Sequence, residues 1–208
     1  MSDGAGKAYD RDYFDRWYRN PKFRVAGRRV VARRAALAVA AAEVLLERPV
    51  GSVLDVGCGE GAFRAALEAL RPRARYLGVD PSAYAVARYG RTRNLRRLAF
   101  ADLDELPARS GFDVVVCADV LHYLEDDEVE AGLPALAALT AGVAYMPLFA
   151  AGDRFWGDRE GWRDRPPSWY LDRFLGVGLV PVGLHLYAGA ALSGTLASLE
   201  AVGTHPRG

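Results

Sequence analysis

The sequence predicts an α/β protein: a doubly wound, mostly parallel sheet with helices on both faces. Three observations lead there. From residue 50 onward, short apolar runs alternate with helical stretches, the pattern of repeated right-handed βαβ units. One run, "FDVVVC" from Phe112 to Cys117, is apolar almost throughout, as a strand covered on both faces must be. Near the C-terminus two apolar stretches follow each other without a helix between them, which suits a hairpin completing the sheet.

The elements follow in order. Tyr9, Tyr13, Trp17 and Tyr18 lie near helical spacing before a break at Pro21. Phe23 to Glu47 is rich in Ala, Leu, Val and Arg and reads as a long helix stopped by Pro49. Ser52–Val56 is a strand, Ala62–Leu70 a helix closed by Arg71-Pro72, and Arg75–Val79 a strand. Ser82–Tyr89 is a helix ended by Gly90, and Leu95–Phe100 a strand. Asp126–Thr140 is a helix with acidic residues at its start and a kink expected at Pro134. Val143–Phe149 is a fifth strand. Ala150–Pro167 is a loop long enough to serve function. Ser168 caps a helix to about Val177. Val180–Tyr187 and Ala190–Leu199 form the hairpin, turning at Gly189. Residues 1–48 are expected to be a helical cap on one compact domain spanning 49–208.

Composition narrows the function classes. A chain of 208 residues with 51% apolar content holds one well-packed domain. A net charge of +1 gives no bulk attraction to nucleic acid or membrane. The charge is uneven, with ten Lys/Arg against four Asp in residues 1–40 and ten Asp/Glu against one Arg in residues 102–130. "RYGRTRNLRR", residues 88–97, keeps an RNA or protein substrate open as an alternative. The longest apolar stretch, Ala35 to Leu46, contains Glu43 and is too short for a bilayer. Two cysteines are too few for a disulfide framework, and the first twenty residues lack a signal peptide's apolar core, so a cytoplasmic setting is expected.

The chemistry concentrates in "SVLDVGCGEGAF". Glycines at 57, 59 and 61 let a backbone approach a ligand closely, one residue tighter than the dinucleotide fingerprint. Asp55 precedes them at the strand end, where a carboxylate would repel a pyrophosphate and suit a cation. Asp80 ends the second strand and can accept from ribose hydroxyls. Asp102 follows the third strand and can accept from an adenine amine, with Asp104 and Glu105 as alternatives. In a doubly wound sheet these strand ends line one crevice. The implied ligand has a cationic part, a ribose and an adenine.

The stretches "VLDVGCGEG", "YLGVDPS", "FADLDELP" and "FDVVVCADVLHYL" resemble the class I S-adenosylmethionine-dependent methyltransferases over roughly residues 50–149. The resemblance implies a Rossmann-like, seven-stranded sheet with its last strand antiparallel, and S-adenosyl-L-methionine as cofactor. It places Asp55, Gly57, Cys58 and Gly59 at the methionine part, and Asp80 at the ribose. Pro81 or Ser82 lies against adenine, Asp102 and the Leu103 backbone lie at its edge, and Ala118 lies near the sulfonium. It is silent on the acceptor. No metal is expected, because Cys58, Cys117, Asp119 and His122 match no zinc spacing.

Methyl transfer from a sulfonium is an in-line displacement in which the protein chiefly aligns the reactants. His122 in "ADVLHYL" is the candidate base, or a structural histidine; Asp119 and Tyr123 are candidates to orient an acceptor. Tyr13, Trp17, Trp156, Trp162, Trp169 and Tyr170 are candidate walls of an acceptor pocket. Arg19, Arg24, Arg28 or Arg29 is expected near the cofactor carboxylate or an anionic substrate. A small-molecule acceptor is favoured over a macromolecule, over cofactor binding without catalysis, and over a nicotinamide oxidoreductase.

Overall fold

The computed structural model describes residues 7–107, 111–154, 157–198 and 200–202. The chain opens with α1 (Arg11–Phe14), which continues into a π-helical turn over Asp15–Arg19, then α2 (Arg28–Leu46). The alternating part follows: β1 (Ser52–Val56), α3 (Ala62–Leu70), β2 (Arg75–Asp80), α4 (Ala83–Arg93) and β3 (Leu95–Arg97). It continues with β4 (Phe112–Val116), α5 (Asp126–Leu139) and β5 (Thr140–Tyr145). The chain closes with α6 (Pro167–Gly176), β6 (Val180–Gly183), β7 (Leu186–Ala188) and α7 (Ala190–Ser193).

Among the described residues the strands form one seven-stranded sheet in the order β3-β2-β1-β4-β5-β7-β6. β1 pairs in parallel with β2 and β4, and β7 runs antiparallel to β5 and β6. The parallel, doubly wound sheet with an antiparallel last strand is therefore as expected. Strand order reverses between β1 and β4, so the loops after these two strands flank the switch point, where α/β sheets bind ligands.

Alternation within each central strand divides the core in two. Leu54, Val56 and Val115 pack with α5 and α6 residues such as Leu136 and Phe174. Val53, Val114 and Val116 pack with Ala35, Ala38 and Val39 of α2 and with Phe63 and Leu67 of α3. At the bottom of the sheet, Asp113 accepts from the Gly51 and Ser52 amides at 2.6 and 3.1 Å and from Arg48 at 2.6 Å. That carboxylate clamps the starts of β1 and β4 together.

Several boundaries differ from expectation. Gly90 does not end α4, which continues to Arg93 with Asn94 in a left-handed cap. β3 stops at Arg97, and Phe100–Glu105 forms a 3-10 helix that buries Phe100 and Leu103 in the core. β5 ends at Tyr145, and Met146 onward is irregular. α5 runs through Pro134 to Leu139, and α6 begins at Pro167 without a bond from Ser168. The final hairpin turns at Leu184-His185, both at positive φ, and not at Gly189, which starts α7. Leu199, the end of that expected strand, lies outside the described residues.

Candidate functional site

The crevice above β1 and β4 is built from backbone first. Gly57, Gly59 and Gly61 all stand at positive φ, so the turn out of β1 folds back tightly. A Cβ at Gly57 would lie 2.3 Å from Val120 Cγ2, so only glycine lets the β1 and β4 loops meet there. The Gly59 amide donates to Asp80 Oδ2 at 2.7 Å, and the Ser82 amide to Asp80 Oδ1 at 2.8 Å. Each Asp80 oxygen thus accepts one backbone bond and keeps acceptor capacity for a ligand. Burial raises the Asp80 carboxyl above its usual range, against those two bonds.

Two adjoining cavities open here. The larger, of about 1060 Å³, is lined by Gly59, Asp80, Pro81, Ser82, Tyr84 and Phe100, among others. The smaller, of about 160 Å³, is lined by Asp55, Cys58, Arg34, His122, Tyr145 and Asp158, among others. Tyr13, Tyr18, Gly57, Ala118, Asp119 and Tyr123 border both, and so mark their junction. The structure thus brings together Asp55, Gly57, Cys58, Gly59, Asp80, Pro81, Ser82, Ala118, Asp119, His122 and Tyr123. It does not bring Asp102 or Leu103 to either wall. Asp102 is exposed on the 3-10 helix and the Leu103 side chain is buried in the core, because that segment turns inward where a longer β3 was expected.

The charges in the crevice are tuned by burial. Asp55 accepts from Tyr76 Oη at 2.7 Å, yet its carboxyl is pushed up to about 7, chiefly by burial. A cation beside it would restore full ionisation. Burial also pushes both cysteine thiols up, which leaves them weakly reactive. His122 is 1% exposed and is pulled down to about 4, chiefly by burial, so its ring is neutral at pH 7. Its Nδ1 accepts from the Phe149 amide at 3.3 Å, which puts the ring proton on Nε2. In this state the His122 ring offers Nε2–H as a donor, while the sequence leaves it as base or structural histidine.

Sequence reading missed three residues. Arg34, not Arg19, Arg24, Arg28 or Arg29, reaches the site: its Nη1 donates to Asp119 Oδ2 at 2.6 Å. Burial opposes the Arg34 charge, and Asp119 more than offsets it. Arg34 borders the apolar stripe of α2 formed by Ala35, Ala38 and Ala42, the one signal that it points inward. Arg19 is spent on Asp15 and Glu60. Lys7 and Asp158 form an ion pair at the cavity wall, and no local pattern marks either. Of the aromatic candidates, Tyr13 and Trp17 line the smaller cavity. Trp169 and Tyr170 instead pack in the α6 core, and Trp156 lies outside the described residues. In the basic stretch, Arg93 donates to the Glu60 carbonyl at 2.5 Å and Arg97 to the Pro81 carbonyl at 3.3 Å.

The long loop is not free. Buried Arg165 donates to the Leu121 and Leu124 carbonyls at 3.2 and 2.7 Å and pairs with Asp126. This fastens the loop beside the 3-10 turn Leu121–Tyr123 that carries His122.

Residues 54–142 match the family model described as "Methyltransferase domain". Nodulation protein S of Sinorhizobium fredii is 31% identical over 123 residues, 56% of this chain and 56% of that protein. Trans-aconitate 2-methyltransferase of Deinococcus radiodurans is 36% identical over 80 residues, 38% of this chain and 31% of that protein. The chain thus spans about half the length, or less, of these curated relatives. Among solved structures, a sugar N-methyltransferase from Streptoalloteichus superposes with a TM-score of 0.62 at 20% identity, covering 91% of this chain and 94% of that one. Magnesium protoporphyrin IX methyltransferase from Synechocystis superposes at 0.61 with 21% identity, covering 86% and 93%. Over residues 54–142 the chain is therefore similar to a methyltransferase domain, and its sheet order and glycine turn share the fold of the solved methyltransferases.

Proposed function

We propose that the protein transfers a methyl group from S-adenosylmethionine to a small-molecule acceptor. The observation that carries this reading is Asp80. Its carboxyl, braced by two backbone amides, stands at the wall of a large cavity at the sheet's switch point.

The residues present fit the cofactor. Asp80 has acceptor capacity for a ribose diol, and Pro81 and Tyr84 supply apolar surface for a base. Asp55 and Asp119 are carboxylates suited to a sulfonium and an ammonium, and Arg34 is the cation suited to a carboxylate. S-adenosylmethionine, when bound, supplies an electrophilic methyl group on sulfur. Around it the chain positions and excludes water. Arg34 holds Asp119 at the cavity junction, and Tyr123 is fixed by its hydroxyl donating to the Asp158 carbonyl at 2.7 Å. His122 presents a neutral ring to the smaller cavity, which we take as the acceptor side, and the residues up to 48 serve as its cap. The small volume of that cavity favours a small acceptor over a macromolecule.

Calorimetric titration with S-adenosylhomocysteine tests the reading. The wild-type protein should bind it, and Asp80→Ala should bind at least ten-fold more weakly. Binding of NADH with no response to S-adenosylhomocysteine would overturn it.

A further inference from the structure

The ammonium of Lys7 lies in an unusual setting. Its Nζ is 4.2 Å from the centroid of the Tyr123 ring, 5.2 Å from that of Tyr13 and 5.5 Å from that of Tyr9. It pairs with the Asp158 carboxylate and donates to the Glu160 carbonyl at 3.0 Å. Both charged side chains are nearly enclosed, at 12% and 11% exposure. One carboxylate would suffice to anchor a terminal segment. Three rings around the same cation make a receptor for positive charge, because each ring face is negative.

The location matters as much as the composition. Tyr13 and Tyr123 border both cavities, Asp158 borders the smaller, and Lys7 and Tyr9 border the larger. The cage therefore opens on the junction that Ala118 and Asp119 also border. Its rings stay neutral at physiological pH, since burial raises the Tyr9, Tyr13 and Tyr123 hydroxyls.

We propose that this cage recognises the methyl acceptor, that the acceptor is a small amine, and that Lys7 is an internal stand-in which the amine displaces. The proposal rests on the methyl-transfer reading and names its substrate class. The chemistry balances. The amine enters as the ammonium the cage favours and gives a proton to water; the lone pair so freed forms the new N–C bond while the C–S bond breaks and its electron pair stays on sulfur. Positive charge passes from sulfur to nitrogen, and a primary or secondary amine then gives its extra proton to water. Rings and a carboxylate placed at the nitrogen bind that charge more tightly as it develops, which is the condition for catalysis by differential binding.

Titration with tetramethylammonium chloride tests the cage without turnover. Lys7→Met should bind this probe at least ten-fold more tightly than wild type, and adding Asp158→Asn should abolish most of the gain. The uncharged isostere 3,3-dimethyl-1-butanol should bind no better to Lys7→Met than to wild type. Equal binding of tetramethylammonium by wild type and Lys7→Met, or an equal gain for the isostere, overturns the proposal. Each variant is titrated in parallel with S-adenosylhomocysteine, and Lys7→Gln replaces Lys7→Met should the latter not fold. S-adenosylhomocysteine binding without a tetramethylammonium response overturns the cage alone; no S-adenosylhomocysteine binding by wild type overturns the methyl-transfer reading with it.

Discussion

At Gly57 two constraints fall on one atom. The backbone holds a φ of +66°, and an added Cβ would meet Val120 Cγ2 at 2.3 Å. Gly57→Ala should therefore lower stability by about 2–4 kcal/mol, the sum of backbone strain and overpacking. Val120→Ala in that background should return only the steric part, leaving about 1 kcal/mol of strain. Urea denaturation of the two variants measures this; an unchanged midpoint for Gly57→Ala would falsify it. Such residues are legible in sequence because their constraint is local: the glycines and Asp55 share one turn, and Asp80 braces the Gly59 amide from the next strand. Lys7, Arg34 and Asp158 are not legible there. Each acquires its role from a partner far along the chain, 85 residues away for Arg34 and Asp119 and 153 for Lys7 and the Glu160 carbonyl.

Short elements show where periodicity suffices. β1 and α3 lie where their apolar patterns put them, because both bury their faces within the βαβ unit that the pattern itself describes. The hairpin misleads for a physical reason. Gly189 is glycine because a Cβ there would lie 2.2 Å from the Thr140 carbonyl oxygen, a close approach to β5 and not a turn. The real turn uses Leu184 and His185 at φ 51° and 61°, residue types that rarely signal it. Phe100, placed by its apolar pattern at the end of a strand, instead opens the 3-10 helix that packs against α5, where a Cβ at Gly132 would strike the Phe100 carbonyl at 2.1 Å. α1 carries one prediction. Phe14 is 1% exposed, stacks with Tyr84 at 5.7 Å and covers Gly59. Phe14→Ala should release the segment 9–19, through a loss of about 3–5 kcal/mol of packing. Limited trypsin digestion should then cut at Arg11 or Arg16 at least ten-fold faster than in wild type, and an unchanged rate would show that other contacts hold the segment.

Whole-molecule stability should depend on pH through two groups of opposite sign. Asp55, held at about 7 from an ordinary 3.8, keeps a proton that the unfolded chain releases, so its contribution falls as pH rises from about 4 to 7. His122, held at about 4 from an ordinary 6.5, refuses a proton that the unfolded chain binds, so its contribution grows from pH 4 to 6.5. Each tenfold change in proton affinity is worth about 1.4 kcal/mol, so the two effects are of similar size and largely offset. Relative to wild type, Asp55→Asn should gain stability as pH rises from 4 to 6.5, and His122→Gln should lose it. Urea midpoints between pH 4 and 8 measure both; parallel profiles for wild type and Asp55→Asn would contradict the assignment. The N-terminal segment has a further consequence. Tyr13 and Tyr18 line both cavities, and Ser82 Oγ donates to the Tyr9 carbonyl at 2.5 Å beside Asp80. On the proposed reading, lifting this one strap would widen the donor and acceptor sides together. Donor and acceptor would then be coupled in time as well as space, each bound partner lengthening the residence of the other.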